Sequence, residues 1–457
     1  MKKTLLFLLI CSPSILLAQT LFNFGFEEGK NQSKNPKNWD ITNASKEDQS
    51  KYNPKPGELT WLKNAAVTLK YVDAGHSFTD LQPIKSFVGN ARIVALGECT
   101  HGTSEVFRMK HRLLEFLVTE MNFSIFSIEA NMAETNAINE YVLNGFGGPE
   151  HLLDTMYFWT WNTQEVLDMI TWMRNYNIKH PQAKVQFTGF DMQYGKGSAD
   201  ILFMYAKKHE PELVALTDSI VHQATRIQNN RAGKNEKSAL STFTANLEEL
   251  DQYFTTHKMA IIERTGAKEF EWLSHNVTLL RQFLGLAKRD RFSFFYRDKS
   301  MAENVEWLLK QNPEARVILW AHNGHVARKN NFMGGNLTEN GHKDDMRVIG
   351  FSTSEGSYTA AKFGIGVSGN NRLFAPTPKT FENYARMSER PLFFIDIRKQ
   401  NLKDKNSNWL KKKIGLRSIG AIALQGTSQF RINVLPDIYD GLIYIDKTNA
   451  SKCFRIK

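Results

Sequence analysis

Cysteine is scarce in this chain, with three residues in 457. Cys11 falls in an N-terminal segment that reads as cleavable, so Cys99 and Cys453 remain, and no spacing points to a disulfide framework. Long apolar runs are also missing after residue 18. No stretch there approaches the roughly 18 uncharged residues that a spanning helix needs, so stable membrane insertion is not expected. Charge of one sign is not concentrated anywhere. The formal net charge of +11 includes Lys2 and Lys3, and without them it is +9; basic residues are spread along the chain, with KKK at 411–413 the only tight cluster. A nucleic-acid partner is therefore not expected. Familiar catalytic signatures are absent too: there is no G-x-S-x-G, H-E-x-x-H or G-x-x-x-x-G-K-[ST]. Serine-hydrolase, zincin and P-loop readings lose their local support.

The first segment, residues 1–18, reads as a secretory signal peptide. Lys2 and Lys3 form the basic start, TLLFLLI is apolar but too short to span a bilayer, and Ala18 offers a small residue before the cut. The mature protein is expected to be exported, periplasmic or secreted. Residues 19–56 are rich in Asn, Lys, Ser and Pro and read as a short extension without chemistry. From Gly57 to residue 457 the pattern is that of one large domain, beginning with a helical stretch, ELTWLKNAAVTLKYV. The segment 210–290 is long, polar and helix-forming, and reads as a helical insertion.

The rest is strand and helix in alternation, which predicts an α/β fold with a mixed, largely parallel central sheet flanked by helices. Four apolar strands end on groups capable of chemistry. ARIVALGECTH stops on Glu98, with His101 in the turn that follows; FSIFSIE ends on Glu129; VQFTGFD ends on Asp191; and RVILWAHNGH ends at His322, with His325 just beyond. If the strands are parallel, all four ends gather on one edge of the sheet, where open α/β sheets hold their ligands. Further strands are expected at RVIGFS (347–352), LFFIDI (392–397), GAIAL (420–424) and DGLIYI (440–445). The helix after His101 is expected to start near Ser104. Its apolar stripe of Phe107, Leu114, Leu117 and Met121 includes Lys110, while Arg108, Arg112 and Glu115 fall toward the polar side.

These residue types suit hydrolysis by an activated water. A neutral imidazole takes a proton from water near pH 7, and a carboxylate holds the ring in the required tautomer. His101 is the expected general base, with Glu98 or Glu129 orienting it, and His322, His325 or Lys110 is available to stabilise a developing oxyanion. Lys110 either snorkels from its helix or turns its ammonium into the cleft. Asp191, Asn323 and Trp161 complete the expected substrate side, although Trp161 and its neighbour Trp159 suit a core equally well. No cofactor is required. The E-x-x-H and H-x-x-H spacings leave a divalent metal as a second option on the same residues. A non-catalytic exported ligand-binding protein is a third. The oligomeric state is not legible.

Taken together, LGECTHGTSE, IEA at 128–130, GFD at 189–191, RDKSMAEN at 297–304 and WAHNGHV at 320–326 resemble the erythromycin esterase family, over about residues 60–446. The resemblance implies a hydrolase of a macrolide lactone or another bulky or cyclic ester that works without a covalent serine intermediate, and it allows a role in antibiotic resistance. By motif match it assigns catalytic roles to Glu98, His101, Glu129, His322 and His325. Where relatives often carry arginine nine residues after the motif histidine, this chain has Lys110, which keeps the charge and loses the bidentate fork. The implied partner is a small-molecule ester.

Overall fold

A computed structural model describes residues 53–229, 236–287, 293–362 and 364–454. The signal-like segment and nearly all of the expected extension lie outside the described residues. The described chain divides into two units, one formed by Tyr194–Asp290 and the other by the segments on either side.

Among the described residues, the larger unit carries eleven strands. These are β1 (Val67–Thr68), β2 (Ile93–Leu96), β3 (Ile125–Asn131), β4 (Gln186–Asp191), β5 (Val317–Trp320), β6 (Met346–Lys362), β7 (Gly366–Arg372), β8 (Leu392–Asp396), β9 (Ile414–Arg417), β10 (Phe430–Asn433) and β11 (Gly441–Thr448). Among the described residues, nine of them form one sheet in the order β1-β8-β11-β6-β2-β5-β3-β4, with β7 paired to the far part of β6. The run from β11 to β4 is parallel throughout, while β1, β7 and β8 join antiparallel. Every residue of β2 and β5 is buried, as expected of strands covered on both faces. This is the mixed, largely parallel α/β sheet expected from the alternation.

Register decides where the strand ends meet. Leu96 of β2 and Ile128 of β3 both lie opposite Trp320 of β5, and Asn131 lies opposite Asp191. Four strands therefore finish level on the same edge. Helix α1 (Ser104–Met121) leaves β2 through the His101 turn, helix α2 (Gln164–Lys179) precedes β4, and helix α3 (Ser293–Gln311) precedes β5.

Several expectations are corrected. The first helix stops at Ala65 and is followed by β1 and an irregular segment. GAIAL is not a strand; Ile419 and Ile422 make only isolated bridges, to Thr100 and Ala361. β6 runs ten residues beyond RVIGFS, and β7, β9 and β10 had no apolar alternation strong enough to mark them. Arg112 and Glu115 do not face water: residues 70–81 pack over α1, where Asp80 accepts from Arg112 at 2.6 and 3.0 Å and Glu115 accepts the Gly75 amide at 2.7 Å.

The second unit is all helical, from Lys196–His209 through Val214–Asn229, Glu236–Thr256, Lys258–Thr265 and Ala267–Ala287. Its own core joins Leu202, Ile220, Phe243, Leu250, Leu273 and Phe283.

Candidate active site

His101 sits on the turn between β2 and α1, buried but for 7% of its surface. Its Nδ1 is 2.5 Å from Glu98 Oε1. The other Glu98 oxygen accepts from Lys110 Nζ at 2.9 Å and from Trp320 Nε1 at 2.5 Å. With both Glu98 oxygens acting as acceptors, His101 donates its Nδ1–H to Glu98 and keeps the lone pair on Nε2. Of the two carboxylates considered, Glu98 is the one in contact with this ring. Lys110 neither snorkels nor reaches a cleft. It is fully buried, paired to Glu98, with its ammonium 4.3 Å from the Trp320 ring centroid. Burial pulls it down to about 8, against the Glu98 charge that holds it up.

The second arm is the turn after β5. The His322 amide donates to Glu129 Oε2 at 2.9 Å, and His322 Nδ1 accepts the Gly324 amide at 3.1 Å. An accepting Nδ1 on a neutral ring puts the proton on Nε2, and Nε2 is buried without a protein partner. The ring lies 5.2 Å from that of His101. Burial first, and then positive charge at His101 and His325, holds His322 well below the usual imidazole range, so it is a neutral donor.

His325 differs in kind. Its Nδ1 is 2.8 Å from Asp298 Oδ1 and its Nε2 is 3.2 Å from Glu129 Oε1. Burial disfavours charge on the ring, but these two carboxylates outweigh it and raise the imidazole to about 10. Both ring nitrogens are thus engaged, Nε2 lying also 3.2 Å from Arg297 Nη1, and His325 is not free to act as a base. Arg297 lies beside it, with Nη2 donating to Glu129 at 2.8 Å and to Asp191 at 2.6 Å. Burial would raise the Glu129 carboxyl, yet His325 and Arg297 hold it well below the carboxylate range. Asp191 is wholly buried beneath Arg297 and also accepts from Gln193 and the Met192 amide.

Two further residues expected on the substrate side are built into the frame. Asn323 spends its side chain on Phe351, donating to the carbonyl at 2.7 Å and accepting the amide at 3.0 Å, while its own amide donates to the Glu98 carbonyl at 2.8 Å. Trp161 belongs to the main core, donates to the Glu129 carbonyl at 2.9 Å and meets His101 edge-on at 5.8 Å. It backs the His101 ring instead of lining an open wall. Partly exposed aromatic surface lies instead near His325, where Phe294 stacks on the imidazole at 5.6 Å and meets Phe295 and Phe332.

Arg297 and Asp298 were missed as site residues. The RDKS block was visible, but a helical pair that begins 24 residues before the AHNGH turn gives no local sign that it faces that turn. Cys99 and Cys453 are not joined by a disulfide. The metal option fares poorly on donor geometry. His325 has both nitrogens on carboxylates, His322 Nδ1 is held by a backbone amide, and among the described residues no group of three or more His, Cys, Asp or Glu side chains is arranged to hold an ion.

The model of the family described as Erythromycin esterase matches residues 118–448. The chain belongs to the erythromycin esterase family. The match begins after Glu98 and His101, so their place in the site rests on the geometry above. Among curated proteins, the chain is 27% identical over 343 residues to an erythromycin esterase type II from Escherichia coli, covering 66% of this chain and 78% of that one. It is 23% identical over 422 residues to a putative hydrolase, YbfO, from Bacillus subtilis, covering 86% and 91%. Among solved structures, a Bacillus cereus protein aligns with a TM-score of 0.78 at 26% identity, over 88% of this chain and 100% of that one. As a member of this family the protein is an ester hydrolase.

Proposed function

We propose that this erythromycin esterase family member cleaves a bulky or cyclic ester, with macrolide lactones among the candidates, by having His101 remove a proton from water as the water attacks the carbonyl. The observation that carries this reading is the Glu98–His101 pair at 2.5 Å beside the partnerless Nε2 of a neutral His322. Glu98 selects the tautomer that accepts at Nε2, and His322 offers an N–H to the oxygen on which charge develops.

Charge balance favours the step. Around the two rings, four carboxyl groups (Glu98, Glu129, Asp191, Asp298) face three cations (Lys110, Arg297, His325). With carboxylates ionised the set carries one net negative charge, so a proton gained by His101 brings it to neutrality in a low-dielectric setting where that counts most. The aromatic group Phe294, Phe295 and Phe332 supports a substrate with apolar bulk.

Mass spectrometry across macrolides, other lactones and simple esters, scored for addition of one water, tests the reading. His101→Ala is expected to lower turnover of whichever ester is found by about a hundredfold to ten-thousandfold. Full activity in that variant would remove His101 from the mechanism. We also propose that the enzyme acts outside the cytoplasm after cleavage near Ala18. Mass analysis of the N-terminus of exported protein checks this, and an intact Met1 in the functional pool would contradict it.

A further inference from the structure

The turn that carries His101 has few bonds of its own. Gly102 donates to Thr100 Oγ1 at 3.0 Å, and Ile419 donates to the Cys99 carbonyl at 2.7 Å. Thr100 Oγ1 also donates to Thr103 Oγ1 at 3.4 Å and the Asn323 amide holds the Glu98 carbonyl at 2.8 Å, and further bonds come from residues 449–454. Ser451 donates its amide to the Gly102 carbonyl at 2.9 Å, the carbonyl that also accepts Thr359, and Ser104 donates to the Asn449 carbonyl at 2.9 Å. Thr103 and Ala450 form a bridge. The segment then continues past the Trp161 loop, where Gln164 donates to the Lys452 carbonyl and Phe454 donates to that of Asn162, each at 3.0 Å.

Two carboxylates lock this strap to the helices on either side of it. Glu105, in the first turn of α1, accepts from the Asn449 amide and from Thr448 Oγ1, both at 2.6 Å, and from Asn449 Nδ2 at 3.0 Å. Glu165, in the first turn of α2, accepts from Ser104 Oγ at 2.6 Å and from the Lys452 amide at 3.2 Å. Both helix starts favour a carboxylate on electrostatic grounds as well. Neither glutamate figures in the chemistry derived above. The strap also begins where the family match ends, at residue 448.

We propose that Glu105 and Glu165 are positioning residues which, through the strap 449–454, hold the His101 turn in the geometry the reaction requires. The inference rests on His101 acting as the base. A base that drifts by about 1 Å loses roughly a hundredfold in rate, and the turn has too few internal bonds to prevent that drift alone. The strap 449–454 adds rigidity to the turn, with one carboxylate on each neighbouring helix serving as an anchor.

The test uses the full chain with Glu105→Ala, Glu165→Ala and Glu165→Gln, the last keeping an oxygen acceptor for Ser104. The first readout needs no substrate: the Nδ1 proton of His101, held at 2.5 Å from Glu98, gives a far-downfield proton resonance that vanishes in His101→Ala. In both alanine variants this resonance is expected to broaden or disappear while the thermal midpoint stays within a few degrees of wild type. On an ester identified by the water-addition screen, kcat falls about 10- to 100-fold with KM within about twofold, and Glu165→Gln recovers most of the loss. An unchanged resonance in the alanine variants overturns the proposal, as does activity lost only in step with the folded fraction. If the screen finds no ester, the proposed reaction fails while the resonance still decides whether the strap positions the turn.

Discussion

Lys110 is the residue whose environment most clearly controls behaviour. Burial lowers its ammonium from 10.5 to about 8, and its charge is what Glu98 faces across 2.9 Å. As that charge is lost, Glu98 holds the Nδ1 proton of His101 more tightly and the base loses its tuning. The kcat/KM of the wild type is therefore expected to decline above pH about 8, and in Lys110→Arg, which stays charged, the decline should move beyond pH 10. A pH–rate profile with the same limb in both proteins would assign the limb to another group. Stability has the opposite sign. Between pH 8 and 10.5 the unfolded chain binds the proton that the folded chain has released, so the Lys110 contribution to stability rises with pH across that window. His325 runs the other way, since its value is raised to about 10: its contribution is whole below 6.5 and is lost as pH climbs through 10. Residue identity marked both groups as chemically interesting. Their protonation depends on which carboxylates fold against them, and no local pattern carries that information.

At the scale of elements, the site is a product of register. β2, β3, β4 and β5 finish level, so a turn on each delivers its group to one edge. The apolar runs and their polar endings were legible because a buried parallel strand needs an unbroken β-branched or aliphatic stretch and its exit does not. The joints between the turns were not legible. Asn323 bridges to β6 and to the Glu98 carbonyl, and this arrangement requires Gly97, where an added Cβ would lie 2.2 Å from Asn323 Oδ1 and 3.1 Å from Val326 Cγ2. Gly97→Ala is expected to destabilise by about 1–3 kcal/mol, as overpacking usually does. It should also lower kcat by about a hundredfold, because the His322 turn must shift. Urea midpoints and steady-state kinetics measure the two effects, and a variant with normal kcat would mean that the Asn323 joint does not set catalytic geometry.

At the scale of the whole molecule, the two large cores among the described residues lie one under the sheet and one among the helices of Tyr194–Asp290. Two cores need not melt together. Calorimetry is expected to resolve two transitions, and Phe243→Ala, which empties a fully buried position of the helical core, should cost about 3–5 kcal/mol in one of them and leave the other in place. A single transition that shifts as a unit would show one cooperative structure instead.

Periodicity and strand endings were enough to reach the fold class, the parallel sheet edge and the residues from Glu98 to His325, because hydrophobic period and chain order act over a few residues at a time. Tertiary structure alone assigned their roles. It placed the three histidines in different surroundings, His101 on Glu98, His322 with a free Nε2 and His325 between carboxylates, built Asn323 and Trp161 into the frame, and added Arg297, Asp298 and the strap at 449–454. The physical reason is that charge state and rigidity at a buried site are set largely by partners distant in the chain, 27 residues for Asp298 and His325 and 344 for Glu105 and Asn449, in a medium where a single nearby carboxylate outweighs the intrinsic preference of the ring.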